Sequence, residues 1–142
     1  MTSQLNVDTI VDKAGSGGPS LPNTTTIKIS NTSTNVSDGG AVTQNTVQGL
    51  CKMWARLDGT GTISLDDSFN VGSITDNTTG QYTYTFSNNM NNANFNVAHA
   101  SANQIQIHST EATSSVTILC RDQNNSNEDV DPTFSNVHGD LA

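Results

Sequence analysis

The sequence is poor in charge, in aromatic side chains and above all in basic residues. Only 13% of its 142 residues are charged and 5% are aromatic, whereas ordinary globular domains have about 25% charged residues. Five lysines and arginines stand against 13 acidic residues, which gives a net charge of -8. Because phosphate binding requires clustered cations and these five are scattered, the balance argues against nucleic acid and against a basic membrane anchor.

Long apolar runs are missing as well. No stretch approaches the roughly 20 apolar residues of a membrane-spanning helix. Residues 1–13 lack the basic start and the apolar stretch that make up a signal peptide. We therefore expect a protein that is synthesised in a cytoplasm and does not insert into a membrane.

Uncharged polar residues take the place of the missing charges. Asn, Thr and Ser together account for 54 of the 142 residues. The net charge is modest for a disordered chain, and Thr, Val and Ile recur at strand spacing, so the composition favours an all-β domain over disorder. The chain has few large side chains with which to build a core, and we expect a homo-oligomer in which a partner buries the remaining apolar surface.

Alternating segments separated by turn residues predict about eight strands. They are drawn from nine candidate segments, at 24–30, 51–58, 62–65, 68–75, 81–87, 94–101, 104–110, 114–122 and 133–139. Asp-Gly at 58–59 and the polar stretch 76–80 are typical of tight hairpin turns, and Gly72 indicates a β-bulge. Tight turns at short spacing predict an antiparallel β-sandwich or barrel-like domain whose strands follow one another as a meander.

The alternation also predicts which side chains face the core. Tyr82, Tyr84 and Phe86 fall on one side of their strand. In the strand 51–58, Cys51, Met53, Ala55 and Leu57 fall on one face, while Lys52, Trp54 and Arg56 fall on the other.

Trp54 between two cations is typical of a subunit interface. Stacking on a sugar and a place in a second core layer are the alternatives.

The first 22 residues read as a separate arm. Residues 14–22 are rich in Gly and contain Pro19 and Pro22, which is linker composition. Four apolar residues precede this linker, and they predict a peg that docks on a neighbouring protein: Leu5, Val7, Ile10 and Val11. The alternative is a disordered tail. The domains are then an arm over 1–22 and a β-sandwich domain over 23–142.

Candidate catalytic residues do not form a recognisable set. His99, His108 and His138 lie on three separate segments, without the spacing of a zinc site. Asp66 and Asp67 are adjacent, so on a regular strand they point to opposite faces and cannot act together as acid and base. We expect no enzymatic activity, no metal and no cofactor.

Two further groups leave alternatives open. Glu128, Asp129 and Asp131 share one loop, which is interpreted as a solvated acidic loop with cation binding as the alternative. Cys51 and Cys120 alternate in phase with apolar neighbours and are interpreted as small buried hydrophobes. A disulfide between them is the alternative. It would require an oxidising compartment, for which the chain shows no signal.

The segment 48–97 resembles a module of tail-fibre and other virion structural proteins of tailed bacteriophages, of the marine and cyanobacterial type. That module has an x-K-x-W-x-x-(D/N)-G-(T/S)-G-T core, then D-S-(F/Y)-N-V-x-S-(I/V)-T-D-N-x-T-G-x-Y-x-x-x-F, and it ends near V-x-G-D. The matching residues are Lys52, Trp54, Asp58, Gly59, Gly61 and Thr62, then Ser68, Phe69, Asn70, Val71, Ser73, Ile74, Thr75, Asp76, Asn77, Thr79, Gly80, Tyr82 and Phe86, and finally Val137, Gly139 and Asp140. Residues 5–22 are similar to the start of many of these proteins.

The resemblance implies a non-enzymatic virion component, trimeric and built from β-structure. It points to a short tail fibre or tail appendage that is made in the host bacterial cytoplasm, anchored by its arm and directed at the host surface. Many relatives carry this module at the end of a long fibre, whereas here it spans nearly the whole sequence. A capsid decoration protein is therefore the first alternative, and a carbohydrate-binding module that recognises a surface glycan is the second.

Overall fold

The structure, a computed structural model, describes residues 29–30, 32–36, 43–101 and 105–142. The elements in chain order are β1 (Thr34–Val36), β2 (Thr43–Asn45), the helical turn α1 (Thr46–Gly49), β3 (Cys51–Asp58), β4 (Ser64–Phe69), β5 (Val71–Thr78), β6 (Gln81–Phe86), β7 (Asn96–Ser101), β8 (Ile105–Ala112), β9 (Ser115–Arg121) and β10 (Thr133–His138). The all-β class is confirmed. Within these residues no helix has the length and hydrophobicity needed to span a membrane.

Eight of the strands form two four-stranded antiparallel sheets, which we call sheet I and sheet II. Sheet I has the order β4-β3-β10-β7, and sheet II has the order β5-β6-β9-β8. Strands β1 and β2 pair separately as a two-stranded ribbon. Because the two larger sheets contribute side chains to one apolar core, the domain is sandwich-like, as the sequence pattern predicted.

Alternate residues of the strands build this core from both sides. Tyr82 and Tyr84 on β6 are fully buried, as are Met53 and Leu57 on β3 of the other sheet. The alternation of β6 and β3 was therefore interpreted correctly at these positions. The other fully buried side chains among the described residues include Met90, Val116, Ile118, Cys120, Thr133 and Val137.

The order of the strands corrects the expected meander. The hairpins β3–β4, β5–β6 and β8–β9 are present, but β6 pairs with β9, and β7 joins sheet I beside β10. Side-chain alternation specifies which face of a strand is buried, whereas the choice of a neighbouring strand depends on contacts far apart in sequence. The prediction was wrong where it assumed that consecutive strands are neighbours.

The first crossing between the sheets occurs at Asn70, between β4 and β5. Its backbone has φ 58, a left-handed conformation that asparagine tolerates better than most residues. The side-chain Nδ2 donates to the carbonyl of Lys52 at 2.9 Å and to that of Asn88 at 3.0 Å, and Oδ1 accepts from the amide of Asn88 at 2.7 Å. The Asn70 side chain thus connects the crossing to β3, through Lys52, and to the residues after β6, through Asn88. The register shift at Gly72 confirms the expected bulge.

The segment before β3 was left open by the sequence, and it forms β2 followed by α1. The side chain of Asn45 caps this turn by accepting a hydrogen bond from the amide of Gln48 at 2.9 Å. Most of the strand expected over 24–30 lies outside the described residues, and Ile29 and Ser30 are not in a strand. The arm over 1–22 also lies outside them.

Candidate functional site

Trp54 lies on the outer face of sheet I, at the centre of strand β3. It stands opposite Phe69 of β4 and opposite Asn136 of β10. Its neighbours along the strand, Met53 and Ala55, point into the core. Trp54 itself is 39% exposed, so it is not part of a second core layer within this domain.

Two phenylalanines share this outer face with Trp54. Phe69 is 51% exposed and Phe134 is 45% exposed. Phe134 on β10 pairs with Arg56, two residues along β3 from Trp54, and is therefore a diagonal neighbour of the indole. We call Trp54, Phe69 and Phe134 the aromatic face. Three exposed rings on adjacent strands form an apolar patch of the kind that marks interaction sites.

Arg56 lies within the aromatic face and is surrounded by carboxylates. Its guanidinium forms an ion pair with Asp66 and lies 3.9 Å from a carboxylate oxygen of Asp131. A register shift opposite Arg56 places Asp66 outside the regular pairing, and Asp67 is the residue that pairs with Arg56. Both adjacent aspartates are exposed, so the expectation that they point to opposite faces was wrong because of this bulge.

Lys52, which was expected to flank Trp54 on the surface, is buried instead. Its ammonium group donates to the carbonyl of Val47 and to that of Leu50, the latter at 2.7 Å. These carbonyls belong to α1 and to the residue that follows it. The lysine side chain therefore holds this turn against the start of β3. Burial lowers the pKa of Lys52, and the charge of Asp140 acts in the opposite direction. Among the residues that the structure describes, Arg56 alone remains as a cation beside Trp54.

The outer face of sheet II has a different chemistry. Its strands place hydroxyl side chains in rows that cross the sheet, and we call these seven residues the hydroxyl face: Ser73, Thr75, Thr83, Thr85, Thr110, Ser115 and Thr117. Thr83 and Thr117 are joined by a hydrogen bond of 2.8 Å, and Asn77 donates to Thr83 at 2.8 Å. Neighbouring hydroxyls therefore satisfy one another across strands.

The acidic loop after β9 is held to the sandwich through Asp129. Its carboxylate accepts hydrogen bonds from the amide of Gly80 and from the hydroxyl of Tyr82, each at 2.7 Å. Burial, followed by the contact with Asp129, raises the pKa of Tyr82. Asp131 lies beside Arg56 instead. In the part of the chain that the structure describes, no three His, Cys, Asp or Glu side chains come together as a metal site.

Both cysteines and His99 make local contacts, and Cys51 is only half-buried. No disulfide joins Cys51 and Cys120. Cys120 is fully buried, its sulfur lies 3.7 Å from the hydroxyl of Thr133, and burial raises the pKa of its thiol. His99 lies with Nδ1 3.1 Å from the hydroxyl of Ser135. The described residues thus show these groups in structural contacts, and the side chain of His108 lies outside the description.

Of the residues predicted to serve assembly, the structure describes only Trp54. The other four, Leu5, Val7, Ile10 and Val11, lie outside the described residues. Phe69 and Phe134 were missed, because the sequence pattern assigned neither of them to a surface or to assembly. Both residues lie opposite β3 in the folded sheet, and the sequence pattern did not show this pairing. Comparison of the chain with protein-family models, with curated proteins and with solved structures finds no match.

Proposed function

We propose that this chain is a non-enzymatic structural protein of a bacteriophage particle, most simply a short tail fibre or tail appendage. It assembles as a homotrimer, is anchored through its arm and displays its loops towards the host surface. The sequence resemblance over residues 5–22 and 48–140 supports the class of protein. The aromatic face is the observation that carries the structural part of the proposal, because rigid β-modules that expose several rings are suited to assembly.

The surface of the domain is consistent with this role. Its polar groups are mostly uncharged. Two of its carboxylates have structural partners, since Asp129 accepts from the amide of Gly80 and Asp66 forms an ion pair with Arg56. Coverage of the aromatic rings would remove apolar area from water at a gain of roughly 25 cal/mol per Å². A subunit of a particle obtains this gain when it assembles.

The first experiment measures the protein in purified particles. Quantitative mass spectrometry should find it at tens of copies per particle, in a multiple of three, and light scattering of the isolated protein should give the mass of a trimer. Hundreds of copies would instead favour a capsid decoration protein that covers the shell. Particles that lack the protein, or a monodisperse monomer at micromolar concentration, would contradict the proposal.

Deletion of residues 1–22 tests the anchoring role of the arm. The shortened protein should keep the far-ultraviolet circular dichroism of a folded β-domain but should fail to enter particles. A truncated protein that enters particles at the normal level would show that the arm is not the anchor. This outcome would leave the trimer and the structural role unaffected.

A carbohydrate-binding module is the second candidate, and the exposed indole of Trp54 beside Phe69 favours it. Aromatic rings on a flat sheet can stack against the apolar face of a sugar ring. Binding on a glycan array that disappears in Trp54→Ala but survives in Thr117→Ala, a change on the hydroxyl face, would support this candidate. Absence of binding to any glycan would remove it.

A further inference from the structure

The aromatic face carries an excess of negative charge around its single cation. Arg56 is already in contact with Asp66 and has Asp131 at 3.9 Å, and Asp67 pairs with it across the strands. The ion pair with Asp66 neutralises the guanidinium. Asp67 and Asp131 therefore contribute negative charge that no second cation among the described residues balances. Any partner that covers the rings must also meet these carboxylates.

The rings themselves favour a cationic partner in the same way. Trp54, Phe69 and Phe134 are each between 39% and 51% exposed, which leaves part of their surface open to a contact. Arginine and lysine side chains bind the π-face of such rings and form ion pairs with nearby carboxylates. Both features of the aromatic face, the rings and the excess carboxylates, therefore select the same chemistry in an occupant.

The part of a second copy that the structure describes does not supply that chemistry. The described residues include three cations, and each is engaged: Lys52 with the carbonyls of Val47 and Leu50, Arg121 with Asn125 and Asn127, and Arg56 with Asp66. Two aromatic faces brought together would place carboxylates against carboxylates. Like charges at a contact oppose association, most strongly at low salt.

We propose that the aromatic face docks a different protein, whose contact surface has arginine or lysine side chains around an apolar centre. This inference rests on the proposed function, since it names the chemistry of the partner at the surface that serves assembly. The partner's apolar side chains cover the rings. Its cations lie against the rings and against Asp67 and Asp131, and the homotrimer forms through other surfaces.

The test uses Trp54, the only tryptophan in the chain, as a fluorescent reporter within the face. The full-length protein is titrated at low salt with a synthetic peptide of alternating arginine and leucine. A matched peptide of alternating glutamate and leucine serves as the control. Saturable change of Trp54 emission with the arginine peptide and no change with the glutamate peptide is the expected result.

Charge variants separate docking at the face from general attraction to an acidic protein. Asp67→Asn and Asp131→Asn should each weaken binding about two- to fivefold, the effect of one exposed ion pair. Asp76→Asn is the matched control, because it removes the same charge from an exposed position on β5 of sheet II. If Asp76→Asn weakens binding as much as Asp67→Asn, the proposal is overturned.

An apolar variant tests the contribution of the rings. Phe134→Ser should weaken binding of the arginine peptide about tenfold, as expected for a central aromatic contact. Val36→Ser, which removes an exposed apolar side chain from β1, should leave binding unchanged. Equal loss in both variants would overturn the proposal, because the rings would then have no specific role.

Two other occupants give distinct results. A response of Trp54 emission to neutral oligosaccharides but not to the arginine peptide would overturn the proposal in favour of a glycan. A change of emission on dilution that Phe134→Ser abolishes would overturn it in favour of a second copy. If the peptide fails while the protein is found in particles, the proposed function stands and only this inference falls. If the protein binds the arginine peptide but is missing from particles, the proposed function falls and the binding of a cationic surface stands.

Discussion

The two sheets are both four-stranded and antiparallel, but their outer faces differ in surface chemistry. On sheet I, three rings are exposed beside Arg56 and its carboxylates. On sheet II, hydroxyl groups lie in rows, and Thr83 and Thr117 bond to each other at 2.8 Å. Hydroxyls that bond to one another and to water need no partner. Covering exposed apolar rings lowers the free energy, so the comparison supports the proposal that the aromatic face is the side at which the domain docks.

The aromatic residues also make the two sheets separately observable. The single tryptophan lies on the outer face of sheet I, whereas both tyrosines of the chain lie on β6, inside sheet II. Fluorescence of Trp54 therefore reports the aromatic face, and the absorbance of Tyr82 and Tyr84 reports the interior behind the hydroxyl face. The predictions below use these probes, from the largest expected effect to the smallest.

The turns of the two hairpins should differ most in their tolerance of a side chain. Gly80, between β5 and β6, has φ +68, and a Cβ there would lie 2.5 Å from the carbonyl of Cys120. Gly80→Ala should reduce the free energy of unfolding by about 3 kcal/mol or more, because strain and a backbone clash combine. Urea unfolding followed by Trp54 fluorescence measures the loss.

Gly61, between β3 and β4 of sheet I, is the matched control for this prediction. Its φ is +62, but a Cβ there meets nothing within 4 Å. Gly61→Ala should therefore reduce the free energy of unfolding by about 1–2 kcal/mol, the cost of placing alanine in a left-handed backbone conformation. Equal losses in the two variants would show that the loop after β9 does not press against the turn of sheet II.

Alkaline titration should destabilise the protein through the interior of sheet II. Burial raises the pKa of Tyr84 to about 12, with the hydroxyl of Ser135 acting in the opposite direction. The ordinary value is about 10, so the folded state holds the proton more tightly than the unfolded state. The stabilisation is complete below pH 10 and is lost as the pH rises from about 10 to about 12.

The loss attributable to Tyr84 over this range should be about 2–3 kcal/mol, since each pKa unit corresponds to about 1.4 kcal/mol. Chemical unfolding at a series of pH values measures it, and absorbance at alkaline pH follows the tyrosinate. Tyr84→Phe should show a shallower decline than the parent protein between pH 10 and pH 12. Parallel curves would mean that Tyr84 is accessible to hydroxide in the folded state.

Changes on the aromatic face should affect assembly and leave folding intact. The double variant Phe69→Ser, Phe134→Ser should enter particles at least about tenfold less well than the parent protein, as expected when central aromatic contacts are lost. Its free energy of unfolding should fall by about 1–2 kcal/mol, because both side chains are half-exposed and contribute only cross-strand contacts. Thr75→Ser on the hydroxyl face should change neither quantity. If the double variant fails to fold, the two phenylalanines are needed for the stability of the domain, and the prediction is wrong.

The smallest effect is expected on the hydroxyl face itself. The pair Thr83→Val, Thr117→Val removes both partners of one hydrogen bond and keeps the shape of the side chains, so the stability should change by about 0.5 kcal/mol or less. Thermal unfolding of the double variant and of each single variant tests this. A loss of several kcal/mol would show that the hydroxyl rows contribute to stability as much as the core does.

Much of the fold could be predicted because strand periodicity is a local property. The inward positions of Met53, Leu57, Tyr82 and Tyr84 follow from alternation alone, and all four are buried. The same rule failed at Asp66, because a bulge inserts a residue out of phase, and such a shift leaves little mark in the sequence.

The candidate site was less predictable, because its members come from three strands. Trp54 could be singled out from its strand, but Phe69 and Phe134 become its neighbours only when β4 and β10 pair with β3. Lys52 shows the converse, since its position beside Trp54 predicted a surface cation and the turn α1 buries it. The alternation along a strand does not show which other segment covers a side chain, even when that segment is close in sequence as α1 is.

Local sequence pattern is sufficient for the all-β class, for the turns after β3 and β5 and for the core positions of β3 and β6, because turn residues and two-residue periodicity act over a few neighbouring positions. The pairing of β6 with β9, and the place of β3 between β4 and β10, depend instead on the folded domain. Those pairings depend on how apolar faces from distant segments fit together in one core. They place three rings on one outer face and hydroxyl rows on the other.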